Sequence, residues 1–138
     1  MRVVFDTNIF VSAFVIPGSH AEKAILRIIE GEDTLLLSKE ILDELLSILS
    51  TKFSRDREEI SRLAVVLSEI AEWVQPARRI NVLRDEPDNR ILECAVSGKA
   101  DMVVTGDKEM LTLEAYEEMK IVSLKSYLGL TRKEGSAP

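Results

Sequence analysis

The sequence predicts an α/β domain built on a parallel sheet covered by helices on both faces. Three observations carry that expectation. Short β-branched runs alternate with longer amphipathic stretches along the whole chain. The clearest runs, Val3-Val4-Phe5 and Met102-Val103-Val104, are apolar throughout, as in strands buried on both faces. The repeated order strand, helix, strand, helix favours crossover connections over hairpins.

Taken in order, Val3-Val4-Phe5 is a strand that stops at Asp6. A helix is expected over about 8–14, then a turn at Pro17-Gly18. Residues 21–30 read as a helix because Ala21, Ala24, Ile25, Ile28 and Ile29 share one face, with Gly31 as its stop. Thr34-Leu35-Leu36-Leu37 is the second strand, and Ser38 can cap a helix running to about residue 49. Ser54 can cap another, whose apolar face is Ile60, Leu63, Ala64, Leu67, Ile70 and Ala71. Trp73-Val74 and Ile80-Asn81-Val82, on either side of Pro76, form a weak third strand region. Residues 88–97 are helical by period, with Ile91, Leu92, Ala95 and Val96 inward and Gly98 just past the end. Met102-Val103-Val104 is the next strand, 107–113 a short helix, and Ile121-Val122 a last short strand. Residues 1–130 make one domain, and the polar stretch 131–138 is expected to be disordered.

Composition narrows the function. The chain has 138 residues, 46% hydrophobic and 30% charged, which is ordinary for one globular domain. No apolar run approaches the ~20 residues a membrane span needs. The opening residues lack a signal-peptide layout, and Cys94 is the sole cysteine, so no internal disulfide can form. A cytoplasmic protein without membrane attachment is expected. The net charge of -6 opposes nucleic-acid binding through the overall field, unless basic residues are grouped locally or a metal supplies positive charge. With His20 the one imidazole, and in a turn-like stretch, acid–base chemistry falls to carboxylates, lysines, hydroxyls or metal-bound water.

Twenty-four acids prove nothing by number, but their placement is informative. Asp6 ends the first strand, Asp107 follows Met102-Val103-Val104 through Thr105-Gly106, and Asp88 opens a helix. Parallel topology sends all three to the edge where such sheets bind ligands. Glu44 lies three residues from Ile41 and four from Ile48, at the margin of its helix's apolar stripe, where it can lean over the same crevice. Each acid also has a plain alternative. Asp6, Asp88 and Asp107 stand where Asp caps helices, and Glu44 can be a solvated flank residue. Together, several carboxylates in one crevice repel unless a divalent cation neutralises them. Oxygen ligands without a thiolate cluster or a second imidazole point to Mg²⁺ or Mn²⁺ rather than zinc. Thr7, Asn8 and Thr105 extend the constellation as hydroxyl and amide groups beside the acids.

These residues resemble a known family. Val4-Phe5-Asp6-Thr7-Asn8 looks like the opening strand of PIN-domain nucleases. Ser38-Lys39-Glu40-Ile41-Leu42-Asp43-Glu44-Leu45 is similar to the family's second motif, with Glu44 at its acid. Asp85-Glu86-Pro87-Asp88-Asn89-Arg90-Ile91-Leu92-Glu93-Cys94-Ala95 resembles the third, with Asp88 at its acid. Ala100-Asp101-Met102-Val103-Val104-Thr105-Gly106-Asp107-Lys108-Glu109-Met110-Leu111 resembles the fourth, with Asp107 at its acid and Thr105 at its hydroxyl. The resemblance implies a three-layer α/β/α sandwich with about five parallel strands in the order 3-2-1-4-5. It implies metal-dependent endoribonuclease activity, with Asp6, Glu44, Asp88 and Asp107 as catalytic metal ligands. It also implies the toxin role in a toxin–antitoxin pair, with a small antitoxin protein as partner and a homodimeric assembly. Asp85, Glu86 and Glu109 stand close enough in sequence to assist or replace the motif acids.

Arg78, Arg79 and Arg84, and separately Lys52, Arg55 and Arg57, are basic groups that can track an RNA backbone. Lys99 and Lys108 are expected near the active edge. Two other functions fit acids at a sheet edge: a Mg²⁺-dependent phosphoryl-transfer domain of receiver or phosphatase type, and a non-catalytic module that binds metal or a basic peptide. Asp6-Thr7-Asn8 lacks the second acid of aspartyl phosphatases, and Lys125 is displaced from the receiver position.

Overall fold

The computed structural model describes residues 1–135 of the chain. Its centre is a sheet of six strands in the order β3-β2-β1-β4-β6-β5. The strands are β1 (Arg2–Phe5), β2 (Thr34–Leu37), β3 (Ala71–Trp73), β4 (Met102–Val104), β5 (Ala115–Tyr116) and β6 (Met119–Val122). Five run parallel. Only the two-residue β5 pairs antiparallel, with β6.

The expected order 3-2-1-4-5 is therefore present, with β6 in the last place. The sheet differs from expectation by one short strand at its far edge. Ala115-Tyr116 is too brief for a period-two pattern to register, and it forms because the chain turns back at Glu117 (φ 53°) onto Met119. A second correction concerns β3. It lies at Ala71–Trp73, directly after a helix, and Ile80-Asn81-Val82 is not a strand.

Both faces of the sheet are covered. Side chains alternate faces along a strand, yet Val3, Val4 and Phe5 are all fully buried, as are Leu35, Leu36 and Leu37 and the pair Val103-Val104. That explains why these strands read as unbroken apolar runs. The helices are α1 (Thr7–Val15), α2 (His20–Ile29), α3 (Lys39–Lys52), α4 (Arg57–Ile70), α5 (Glu86–Ser97), α6 (Lys108–Leu113) and α7 (Leu124–Gly135). Helix α5 packs on β1, β2 and β4, and α3 packs against α1, α4 and α5. No single helix among the described residues is long and apolar enough to cross a membrane.

Helix starts follow local chemistry. Ser38 caps α3 as expected, its hydroxyl accepting the Ile41 N–H at 3.3 Å. Ser54 does not cap α4. Asp56 does, accepting the Glu59 N–H at 2.8 Å, while Ser54 takes a left-handed φ of 51° in the preceding turn. Helix α5 begins two residues before the expected 88, with Asp85 at its N-cap and Pro87 in its first turn, where a missing N–H costs nothing. The stretch expected to be disordered, 131–138, overlaps the last turns of α7, and 136–138 lie outside the described residues.

Candidate active site

The parallel register brings the first two site residues together. Phe5 is paired with Val104, and the ladder continues with the Asp6 N–H donating to the Val104 carbonyl at 2.9 Å. Asp6 and Thr105 thus leave the sheet side by side at the carboxyl ends of β1 and β4. The Thr105 hydroxyl donates to Asp6 Oδ2 at 2.6 Å, and the Asn8 N–H donates to Asp6 Oδ1 at 3.3 Å. Asp6 is also the N-cap of α1, so its capping reading is realised, at the sheet edge where the site is expected.

Asp107 is likewise a helix cap at this edge. It caps α6, with Oδ2 accepting the Met110 N–H at 2.9 Å, and its own N–H donates to Thr105 Oγ1 at 3.0 Å. Asp88 caps nothing. It sits in the first turn of α5, is 8% exposed, and lacks a side-chain hydrogen bond among the described residues. A carboxylate of Asp88, one of Asp107 and one of Glu109 place oxygens within 4.8 Å of one another.

The electrostatics mark these acids as one group. Burial pushes the Asp6 carboxyl above its ordinary range. Its bonds from Thr105 and Asn8 oppose that by favouring the charged form, while Asp107 and Asp85 add repulsion. Asp88 is pushed up to about 7, first by burial and then by the charges of Asp6, Asp85, Asp107 and Glu109. Five carboxylates therefore act on one another at this edge. In the absence of positive charge, that arrangement is unfavourable.

The other expected residues fall as follows. Glu44 is half-buried on α3 and lies outside the tight cluster. It lines a neighbouring hollow of about 180 Å³ with Thr7, Ile41, Glu86, Pro87 and Arg90, so it borders the residues next to Asp6 and Asp88. Thr7 is buried in that wall. Asn8 contributes its backbone N–H, and its side chain is exposed. Lys99 is not at this edge. It follows the C-cap Gly98 of α5, a helix of 12 residues and so about 18 Å long, at the opposite side of the sheet.

Two residues that build the site were not singled out from the sequence. Asn89 is fully buried. Its Oδ1 accepts the Val82 and Leu83 N–H groups at 3.1 and 2.9 Å, and its Nδ2 donates to the Leu83 carbonyl at 2.9 Å. Glu93, 3% exposed, accepts the Ile80 N–H at 2.8 Å and pairs with Arg90 at 2.8 Å and Arg79 at 3.7 Å. One turn apart on α5, the two side chains satisfy the strandless loop before Asp85. A signal existed: an acid interrupting the run Ile91-Leu92-Glu93-Cys94-Ala95, with Asn89 and Arg90 one turn before it, must find partners.

Comparison with known proteins agrees with this fold. A family profile described as a PIN domain matches residues 2–109. An uncharacterized protein of Methanocaldococcus jannaschii is 32% identical over 117 residues, spanning 82% of this chain and 75% of that protein. Two solved structures share the fold. VapBC2 from Rickettsia felis, bound to a DNA fragment from their promoter, superposes with a TM-score of 0.63 at 18% identity, over 89% of this chain and 98% of that one. VapBC-1 from nontypeable Haemophilus influenzae gives 0.65 at 18% identity, over 91% and 99%.

Proposed function

The chain belongs to the PIN-domain family, a family of nucleases, and from that premise we propose that it is a divalent-metal-dependent endoribonuclease. The observation that supports this best is the meeting of Asp6 and Asp107 at the Thr105 hydroxyl, at the carboxyl ends of β1 and β4, with Asp88 near enough for their charges to act on it.

The residues fit a hard divalent cation. Asp88, Asp107 and Glu109 offer carboxylate oxygens within 4.8 Å, and Asp6 adds a buried carboxylate beside them. No thiolate competes: the Cys94 thiol is buried and pushed up to about 12. In this reading Asp6, Asp88 and Asp107 hold Mg²⁺ or Mn²⁺, with Glu44 completing the set from the adjoining hollow. Such a cation supplies positive charge against a phosphodiester and makes a bound water more acidic.

The protein's own contribution is positioning. Thr105 fixes Asp6 and Asp107 relative to each other through one hydroxyl. The Met110 N–H holds Asp107, and the Asn8 N–H holds the buried Asp6. The exposed Asp85 and the half-buried Glu109 widen the acidic edge. We further propose that the protein is the toxin of a toxin–antitoxin pair, cytoplasmic and homodimeric, with a small antitoxin protein covering this edge. The fold shared with the VapBC structures supports that proposal.

The test is cleavage of a labelled single-stranded RNA by the purified protein. Mg²⁺ or Mn²⁺ should support cleavage, and EDTA should abolish it. Cleavage that persists in EDTA refutes the metal, and its absence with every divalent ion tried refutes the nuclease.

A further inference from the structure

We infer that Arg84 and Lys108 are the residues that bind phosphates of the RNA strand beside the acid cluster. The inference rests on the ribonuclease reading above, because it assigns the substrate contacts of that same site.

The difficulty it resolves is electrostatic. A protein of net charge -6, with five carboxylates at one edge, repels a polyanion. The local cations decide whether a strand can approach, and most arginines are already engaged. Arg2, Arg27, Arg55, Arg62 and Arg90 each pair with a glutamate. In the group expected to track RNA, Arg78 is held by Glu117 and Arg79 by the buried Glu93. Arg84 differs. It is exposed, and its guanidinium has no ion-pair partner among the described residues, although Asp85 is its neighbour.

Its place is fixed through the backbone. The Arg84 N–H donates to Glu109 Oε1 at 3.3 Å, and Asn89 pins Val82 and Leu83 just before it. A cation on a pinned loop loses little freedom when it grips a phosphate. Lys108 stands between Asp107 and Glu109, is exposed, and also lacks an ion-pair partner among the described residues. It is the first residue of α6, where the helix dipole disfavours a positive charge. Helix stability therefore does not account for it, and phosphate binding does.

The test is binding of a fluorescein-labelled single-stranded RNA by anisotropy, with Ca²⁺ present to fill the oxygen donors, between roughly 50 and 200 mM salt. Arg84→Ala and Lys108→Ala should each lower the slope of log affinity against log salt by about 0.7, and each weaken binding roughly fivefold near 0.1 M. Arg84→Lys and Lys108→Arg should keep the slope, and Lys99→Gln, at the far side of the sheet, should leave it unchanged. Unaltered melting temperatures accompany these results, since both side chains are exposed; Arg84→Gln carries the test if Arg84→Ala fails to fold. An unchanged slope in the double alanine variant overturns the inference, as does an equal loss in Lys99→Gln. Loss of slope in both alanine variants, with wild-type protein that does not cut RNA in Mn²⁺, removes the nuclease and leaves the phosphate contacts standing. Wild-type protein that cuts RNA while the double variant keeps its slope does the reverse.

Discussion

Thr105 Oγ1 stands between two acids, donating its proton to Asp6 Oδ2 at 2.6 Å and accepting the Asp107 N–H at 3.0 Å. One hydroxyl, itself fully buried, thereby sets the spacing of carboxylates 101 positions apart in sequence.

Thr105→Val keeps the shape and removes the donor. Asp6 then loses a bond that favours its charged form, so its carboxyl rises further above the ordinary range. The acid limb of the rate profile should move to higher pH, and kcat should fall roughly tenfold at neutral pH. Thr105→Ser should restore both. An unchanged pH profile in Thr105→Val would show that this hydrogen bond does not tune the site.

Asp88 predicts an unusual dependence of stability on pH. Its folded value, about 7, lies above the ordinary 3.8, so the folded protein binds this proton more tightly than the unfolded chain does. In EDTA its contribution is intact at low pH and is lost as pH rises from 3.8 to about 7. Asp88→Asn removes the repulsion and should stabilise the metal-free protein at pH 8 by roughly 1 to 3 kcal/mol, after discounting for solvent screening. The same substitution should abolish RNA cleavage. Urea titrations at pH 5 and pH 8, with and without Mg²⁺, read out both parts, and a destabilised Asp88→Asn protein at pH 8 in EDTA would contradict the account.

Glu44 is the acid whose place is least constrained by its neighbours. It is half-buried and has no hydrogen bond or ion pair among the described residues. Glu44→Gln should change stability by less than about 0.5 kcal/mol while lowering kcat at least roughly tenfold. Full activity would remove Glu44 from the ligand set and leave the three aspartates.

Asn89→Ala should act through the loop that carries Arg84. It leaves the Val82 and Leu83 N–H groups unpaired in or beside the core, at a cost of about 2 to 4 kcal/mol. Denaturant melts measure that loss. A variant as stable as the parent would mean that the loop finds other partners.

Much of this was legible in the sequence because burial on both sheet faces writes itself as unbroken apolar runs, seen at Val3-Val4-Phe5 and Met102-Val103-Val104. Parallel topology then fixes which strand ends meet, so the sequence alone groups Asp6, Thr105 and Asp107. The two-residue β5 was not legible, because it depends on a turn rather than on a pattern. Ser54 misled because Ser and Asp cap equally well, and Asp56 lay two residues further on. The start of α5 is ambiguous in the sequence because Asp85-Glu86-Pro87-Asp88 offers several capping residues. Asn89 and Glu93 escaped because their partners are backbone groups of a loop, which no side-chain periodicity reports.

The most direct measurement is the anomalous scattering map of crystals soaked in Mn²⁺. The account predicts a manganese peak at the carboxyl ends of β1 and β4, about 2.0 to 2.5 Å from carboxylate oxygens of Asp88 and Asp107, with Asp6 in its first or second coordination sphere. The same map from Asp88→Asn crystals should lose the peak. A peak elsewhere on the molecule, or none at a manganese concentration that supports RNA cleavage, would contradict it.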